Sequence, residues 1–276
     1  MTRPWLWLNM VCLDAPVVAI AWQWLFARAV NLPLRAASIG ALFVTAWLIY
    51  LADRLADTFK LDLAREASLR HRFCGRHRPF WIGLMLVLTA CDAWLLAHYL
   101  DARVMKFGGI IGAAAFFYFV INYAAGRVWR WLPLKEVTIG SLFAAGTVTA
   151  LLPQLSASEG PLWLTVILFA MLCALNCISI AFWERSIDEA QSSESIATTW
   201  PQGAKYLLPV AIALTVIAIL ASRWSVPLAL VDSCVALSAL LLAALHALRA
   251  VIPRDALTAL ADLVLLTPIL MLVLLL

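Results

Sequence analysis

Two stretches of this chain pair acidic residues at a four-residue spacing. The first is Tyr50-Leu-Ala-Asp53-Arg-Leu-Ala-Asp57 and the second is Trp183-Glu184-Arg-Ser-Ile-Asp188-Glu189. On a helix, an i, i+4 pair puts both side chains on one face, about 5–6 Å apart. Carboxylates that close repel each other. Each pair also follows an apolar run, at the C-terminal end of a helix, where the dipole disfavours negative charge. A divalent cation would offset both costs. Magnesium takes one or two protein carboxylates and completes its octahedron with water and phosphate oxygens. Asp53, Asp57, Glu184 and Asp188 therefore point to a Mg²⁺–diphosphate site. Between them lies Asn122-Tyr123-Ala-Ala-Gly-Arg127-Val-Trp-Arg130-Trp-Leu-Pro133-Leu-Lys135-Glu136. The guanidinium forks of Arg127 and Arg130 suit phosphate oxygens. A plainer reading competes with each of these. Charges crowd at any membrane border, with Arg54 and Arg185 neutralising their neighbours, and Arg127 and Arg130 with Trp129 and Trp131 make an ordinary positive, aromatic margin.

The elements that must position these residues follow from composition. Of 276 residues, 64% are hydrophobic and only 13% charged, and the mean hydropathy is +0.94. Soluble domains carry about a quarter charged residues, and disordered chains are polar and poor in aromatics, so both classes are excluded. A spanning helix needs about 20 apolar residues. Runs near 8–27, 36–52, 80–100, 107–123, 137–153, 161–182, 206–222, 227–248 and 256–276 predict nine transmembrane helices in a bundle. The expected fold is an all-α integral membrane protein forming a single transmembrane domain over 1–276, its first helix retained and not cleaved as a signal. With the N-terminus cytoplasmic, fifteen Lys and Arg fall inside and five outside, which sets the orientation. Two long inner loops, about 53–79 and 183–205, would cap the cytoplasmic face, and each opens with one of the acid pairs. The net charge of +4 reflects topology and not a nucleic-acid partner. The basic run from Arg70 to Arg78 reads first as a loop against anionic lipid.

The acid pairs lie 131 residues apart, after the second and sixth runs. Four helices separate them, so the pattern predicts a parallel four-helix repeat with an acid pair at the same place in each half. Four further acids fall within apolar runs, where ionisable groups are costly and often functional. Asp14, in the inner half of the first run and followed by Ala15-Pro16, could reach a substrate cavity. Asp92, Asp232 and Asp262 are expected to pair with Ser, Thr or Arg inside the bundle. The six cysteines form no CxxC pair, and five lie in apolar runs as small hydrophobes.

The combined pattern resembles the UbiA-type intramembrane prenyltransferases. That family has nine helices with aspartate-rich motifs on the cytoplasmic side after the second and sixth. Its first motif, N-D-x-x-D-x-x-x-D, aligns with Ile49-Tyr50-Leu-Ala-Asp53-Arg-Leu-Ala-Asp57, in which Ile49 and Tyr50 replace the leading Asn-Asp. The D-x-x-x-D closing its second motif aligns with Glu184 to Asp188, and the acid expected about seven residues earlier is Cys177, beside Asn176. The family's Tyr followed by a cation after the fourth helix is similar to Tyr123 and Arg127.

The resemblance implies Mg²⁺-dependent transfer of a prenyl group from an isoprenyl diphosphate to a lipophilic acceptor. Asp53, Asp57, Glu184 and Asp188 would hold the metal. Arg127, Arg130, Tyr123, Tyr50, Asn176 and Asp14 would bind substrates. The location implied is the inner membrane of a bacterium, with the site facing the cytoplasm. The alternative is a transporter or non-catalytic multi-span protein using its buried aspartates, because transporters also show repeats and broken helices. A CDP-alcohol phosphotransferase would need a D-G-x-x-A-R run that the chain lacks.

Overall fold

An apolar run crosses hydrocarbon most readily as a helix, which pairs its backbone groups within itself. The computed structural model describes residues 6–60, 62, 65–124, 134–155 and 160–275. Among them all regular structure is helical. The helices are α1 (Leu6–Met10), α2 (Asp14–Ala29), α3 (Ala36–Lys60), α4 (Leu69–Arg76), α5 (Arg78–Tyr99), α6 (Ala102–Ala124), α7 (Leu134–Val148), α8 (Gly160–Trp183), α9 (Arg185–Ala190), α10 (Ile196–Thr199), α11 (Ala204–Ser222), α12 (Ala229–Ala247), α13 (Arg254–Leu263) and α14 (Thr267–Leu275).

Six of these, α3, α5, α6, α8, α11 and α12, are long and apolar enough to cross a membrane. The chain is a multi-pass, all-helical membrane protein. Large apolar side chains on α5, α6 and α11, among them Leu86, Phe116, Phe117 and Leu220, lie exposed where lipid would cover them.

The other three predicted runs are shorter or broken. The run at 8–27 splits because Cys12 takes a positive φ of 59°, and α2 restarts at Asp14 with 16 residues. The run at 137–153 yields the 15 residues of α7. The last run is interrupted by a 3₁₀ turn over Val264–Leu266. That interruption frees backbone carbonyls, and neighbouring side chains take them up. Trp22 Nε1 donates to the Leu265 carbonyl at 2.7 Å and Ser238 Oγ to that of Val264 at 2.8 Å. A broken membrane helix tolerates its freed groups when such partners are at hand.

The main core is built by α2, α7, α8, α11, α12 and the C-terminal segment. Its centre is aromatic, with Trp22 stacked on Phe169 at 4.3 Å between ring centroids and Phe26 edge-on to the same ring. Helices α7 and α8 approach closely at Gly140. A Cβ there would meet Ala174 N at 2.5 Å and Ala170 O at 2.8 Å, so only glycine permits this backbone approach. A smaller core of Cys12, Leu51, Leu55, Cys74 and Trp81 ties α3, α4 and α5 together.

The two long loops expected over about 53–79 and 183–205 are not irregular. The first continues α3 to Lys60 and then forms α4; the second forms α9 and α10. They also meet each other. Gln191 Nε2 donates to the carbonyls of Asp62 and Glu66 at 2.9 and 3.0 Å, while Arg254 reaches both Glu66 and Ser186.

Candidate functional site

The first acid station lies on unbroken helix. Because α3 runs eight residues past the apolar stretch, Asp53 and Asp57 share one face, as their spacing predicts. One phenol bridges them. Tyr123 Oη lies 3.2 Å from Asp53 Oδ1 and 3.3 Å from Asp57 Oδ1, so its proton can go to either. Tyr123 is the last side chain described on α6, and Lys60 Nζ lies 3.9 Å from the centroid of its ring. From α4, His71 Nε2 lies 3.8 Å from Asp57 Oδ2. Burial lowers the pKa of His71 below its ordinary value; the bond to Asp57 opposes this, and the charges of Arg54 and Arg70 add to the lowering.

The second station is built differently. The expected continuous helix breaks at Glu184, which sits between α8 and α9 with a backbone at φ −92°, ψ 7°. Glu184 is buried and engaged. Arg70 Nη2 donates to its Oε2 at 2.6 Å and Thr258 Oγ1 to its Oε1 at 3.3 Å. Arg185 turns away to Glu189, donating at 2.7 Å. Asp188 is partly buried and pairs with no arginine among the described residues. Burial pushes its pKa up to about 6, a hydrogen bond from Ser195 opposes this, the charges of Glu184 and Asp57 add to it, and that of Lys135 opposes it. Asp57 comes from the first station, so its charge bears on the second. Lys135 acts on Asp53, Asp57 and Asp188 alike.

Beneath the stations lies a second polar group. Asn9 Nδ2 donates to Asp14 Oδ2 at 2.6 Å and to Asp262 Oδ2 at 3.1 Å, and Asn176 Nδ2 donates to Asp262 Oδ1 at 3.0 Å. Asp14 and Asn176 are thus turned into this buried cluster. Arg54 packs over the Tyr50 ring, 5.2 Å from its centroid, with Nη1 buried and unpartnered among the described residues. Asp92 pairs with Thr45, which donates at 2.8 Å, and Asp232 with Thr165, as their position in apolar runs predicts.

Tyr50 also lines a membrane cavity of about 450 Å³ between α2, α3, α5, α6 and α7. Its walls are apolar, with Tyr118, Phe119 and Phe143 among the aromatic faces. The acid station and the cavity adjoin, since Tyr50 is three residues from Asp53 and Phe119 four from Tyr123.

The structure thus brings Asp53, Asp57 and Tyr123 together, with Asp188 within electrostatic reach of Asp57. It commits Glu184 to Arg70, and it puts Asp14 with Asn176 in a neighbouring cluster. Arg127 and Arg130 lie outside the described residues. Among the described residues no three His, Cys, Asp or Glu side chains are grouped to hold a metal ion by themselves. Asp53, Asp57 and Asp188 are nonetheless the oxygen donors that a hard cation takes, and magnesium in phosphate sites needs only one or two of them.

Sequence reasoning gave no site role to Lys135 or Thr258, and it read Arg70 and His71 only as part of a basic run facing anionic lipid or substrate. Lys135 was visible as a cation just after Pro133. The other three belong to segments that reach the site only through folding. Compared with known proteins, the chain matches no family model, no curated protein and no solved structure.

Proposed function

We propose that the chain is a magnesium-dependent prenyltransferase, transferring a prenyl group from an isoprenyl diphosphate to a lipophilic acceptor within the membrane. One observation carries this reading. Asp53 and Asp57 share one helix face and one phenol, Tyr123, on α3, whose Tyr50 lines the apolar cavity, and the charges of Asp57 and Lys135 both bear on Asp188 of a distant helix. Asp53, Asp57 and Asp188 would hold Mg²⁺, which when bound neutralises the charge that develops on the leaving diphosphate.

The chain's own groups do the rest. Lys135 offers the diphosphate a fixed positive charge, and Arg127 and Arg130 belong to the same inner segment. Tyr123 holds the first carboxylate pair in one orientation. Tyr50, Tyr118 and Phe119 turn aromatic walls toward the chain-binding cavity, where a dry site with π faces favours developing cationic character. Glu184 acts through Arg70, fixing α4 and with it His71 against Asp57. The contacts between 58–79 and 184–205 close the site from the cytoplasmic side.

The same reading extends to topology. All nine apolar helical segments cross the membrane, the N-terminus is cytoplasmic, and the two halves repeat. The pairings support the repeat: α3 packs between α2 and α5 as α8 packs between α7 and α11, and α2 meets α7 across the halves. The UbiA-type resemblance and a site facing the cytoplasm of a bacterial inner membrane belong to this proposal. A second reading, a transporter, draws on the Asp14–Asn9–Asp262 cluster, since buried carboxylates within a membrane often carry protons.

The test is binding of farnesyl diphosphate to the purified protein with and without Mg²⁺. Binding is expected to require Mg²⁺ and to fall by about a hundredfold or more in Asp57→Asn and in Asp188→Asn, a loss of ~2.7 kcal/mol. Asp232→Asn is expected to bind normally. Equal loss in all three would mean that the substitutions damage the fold, and Mg²⁺-independent binding would overturn the reading. A transporter would instead lose proton-coupled flux in Asp14→Asn while its diphosphate binding stayed negligible.

A further inference from the structure

We infer that the membrane cavity is built to hold a hydroxyl-bearing lipophile by its hydroxyl, at Gln23 and Asp92. The cavity walls are almost wholly apolar, yet two buried polar side chains line them. Gln23, on α2, is 1% exposed, and its Oε1 has no hydrogen-bond partner among the described residues. Asp92, on α5, is 7% exposed. Its Oδ2 accepts the Thr45 hydroxyl at 2.8 Å, while Oδ1 is left without a donor.

A buried acceptor without a donor is costly, and native proteins keep few of them. Helices α2 and α5 both pack on α3, which carries Thr45 into the same cavity. A hydroxyl both donates and accepts, so it can partner the free end of the Gln23 amide and the free oxygen of the Asp92 carboxyl. A hydrocarbon chain alone would leave both bare. A molecule with an apolar body and one or more hydroxyls would satisfy them, and the rings of Tyr50, Tyr118, Phe119 and Phe143 favour a body that includes an aromatic ring.

This polar position is separate from the acid stations. Thr45 lies eight residues from Asp53 on α3, roughly 12 Å along the axis at about 1.5 Å per residue. The lining of α3 from Ser38 to Tyr50 extends roughly 18 Å on the same measure, long enough for a ring with an alkyl chain. The inference therefore concerns the cavity alone and needs neither metal nor diphosphate at its mouth.

The test compares two probes of one skeleton, 4-octylphenol and 4-octylanisole, in which a methyl group caps the hydroxyl. Each is titrated calorimetrically into the full-length protein in detergent, with partition into empty micelles subtracted. The phenol is expected to bind about tenfold more tightly than the anisole. In Gln23→Leu/Asp92→Leu the preference is expected to fall below about twofold while anisole binding persists. In Asp57→Asn the preference is expected to remain, so loss of diphosphate binding and loss of this site are told apart. Equal affinity for both probes in the unsubstituted protein overturns the inference, as does binding of neither, and those outcomes decide it even if the double variant fails to fold. A preference that survives in a folded double variant overturns it as well.

Discussion

The two acid stations share a four-residue spacing and differ in almost everything else. At the first, α3 runs on without a break, both carboxylates turn to one face, and the partners are a phenol and an imidazole. At the second, the helix breaks at the first acid. Glu184 turns inward to Arg70 and Thr258, and Asp188 alone remains beside the other station. Equal spacing thus yields a pair in one case and a divided pair in the other. The difference lies in what the neighbouring segment brings. Helix α4 delivers the guanidinium of Arg70 to Glu184 but the imidazole of His71 to Asp57. A carboxylate given a buried guanidinium becomes structure, and one without such a partner among the described residues is the better candidate for a ligand.

The strongest way to break this contrast is to remove Arg70. Arg70→Met leaves Glu184 buried without its counter-ion, which typically costs about 3–5 kcal/mol. A steep fall in thermal unfolding temperature in detergent is expected, with most of it recovered in Arg70→Met/Glu184→Gln. An equal fall in the double variant would mean that the pair is not what Arg70 contributes.

Gly140→Ala comes next. Its added Cβ presses on the α8 backbone, and overpacking of this kind costs about 1–3 kcal/mol. Because α8 leads into Glu184, the substitution is expected to disturb the second station and spare the first. Cysteine-scanning accessibility at positions 188 and 57 would separate the two.

A pH series sharpens the comparison further. Asp188 has its pKa raised from 3.8 to about 6, so the folded state holds this proton more tightly than the unfolded chain. Its contribution is fully present below about pH 4 and is lost as pH rises through about 6. The unfolding temperature is expected to drop between pH 5 and pH 7.5, and to drop less in Asp188→Asn. Saturating Mg²⁺ with diphosphate is expected to narrow the difference, by favouring the charged carboxylate.

The smallest effect expected is that of Tyr123→Phe. It removes one hydroxyl shared by Asp53 and Asp57, worth about 1 kcal/mol. Diphosphate affinity is expected to weaken several-fold with no change in the pH series, and an unchanged affinity would remove Tyr123 from the site.

Particular residues show how much was legible beforehand. Apolar run lengths gave α5, α8, α11 and α12 to within a few residues and located α3 and α6, which extend eight and five residues beyond their runs at one end, because hydrocarbon permits little besides helix over such stretches. They overran at 8–27, where Cys12 adopts a left-handed backbone, and at 256–276, where a 3₁₀ turn survives on bonds from Trp22 and Ser238. Those partners lie more than twenty residues away, so no local pattern announces them. The i, i+4 spacing put both acids on one helix face only where the helix continued, at Asp53 and Asp57, and not at Glu184.

The sequence by itself determined that the chain is a helical membrane protein, and it singled out Asp53, Asp57, Asp188 and Tyr123, because apolar length and acid spacing are local quantities. Only the tertiary structure decided that Glu184 would be claimed by Arg70, that the charge of Lys135 would bear on both stations, and that Gln23 and Asp92 would line one cavity. Each depends on which side chains of distant segments meet. A buried charge or acceptor is settled by the partner it reaches, and that partner is fixed by packing and not by neighbours in the chain.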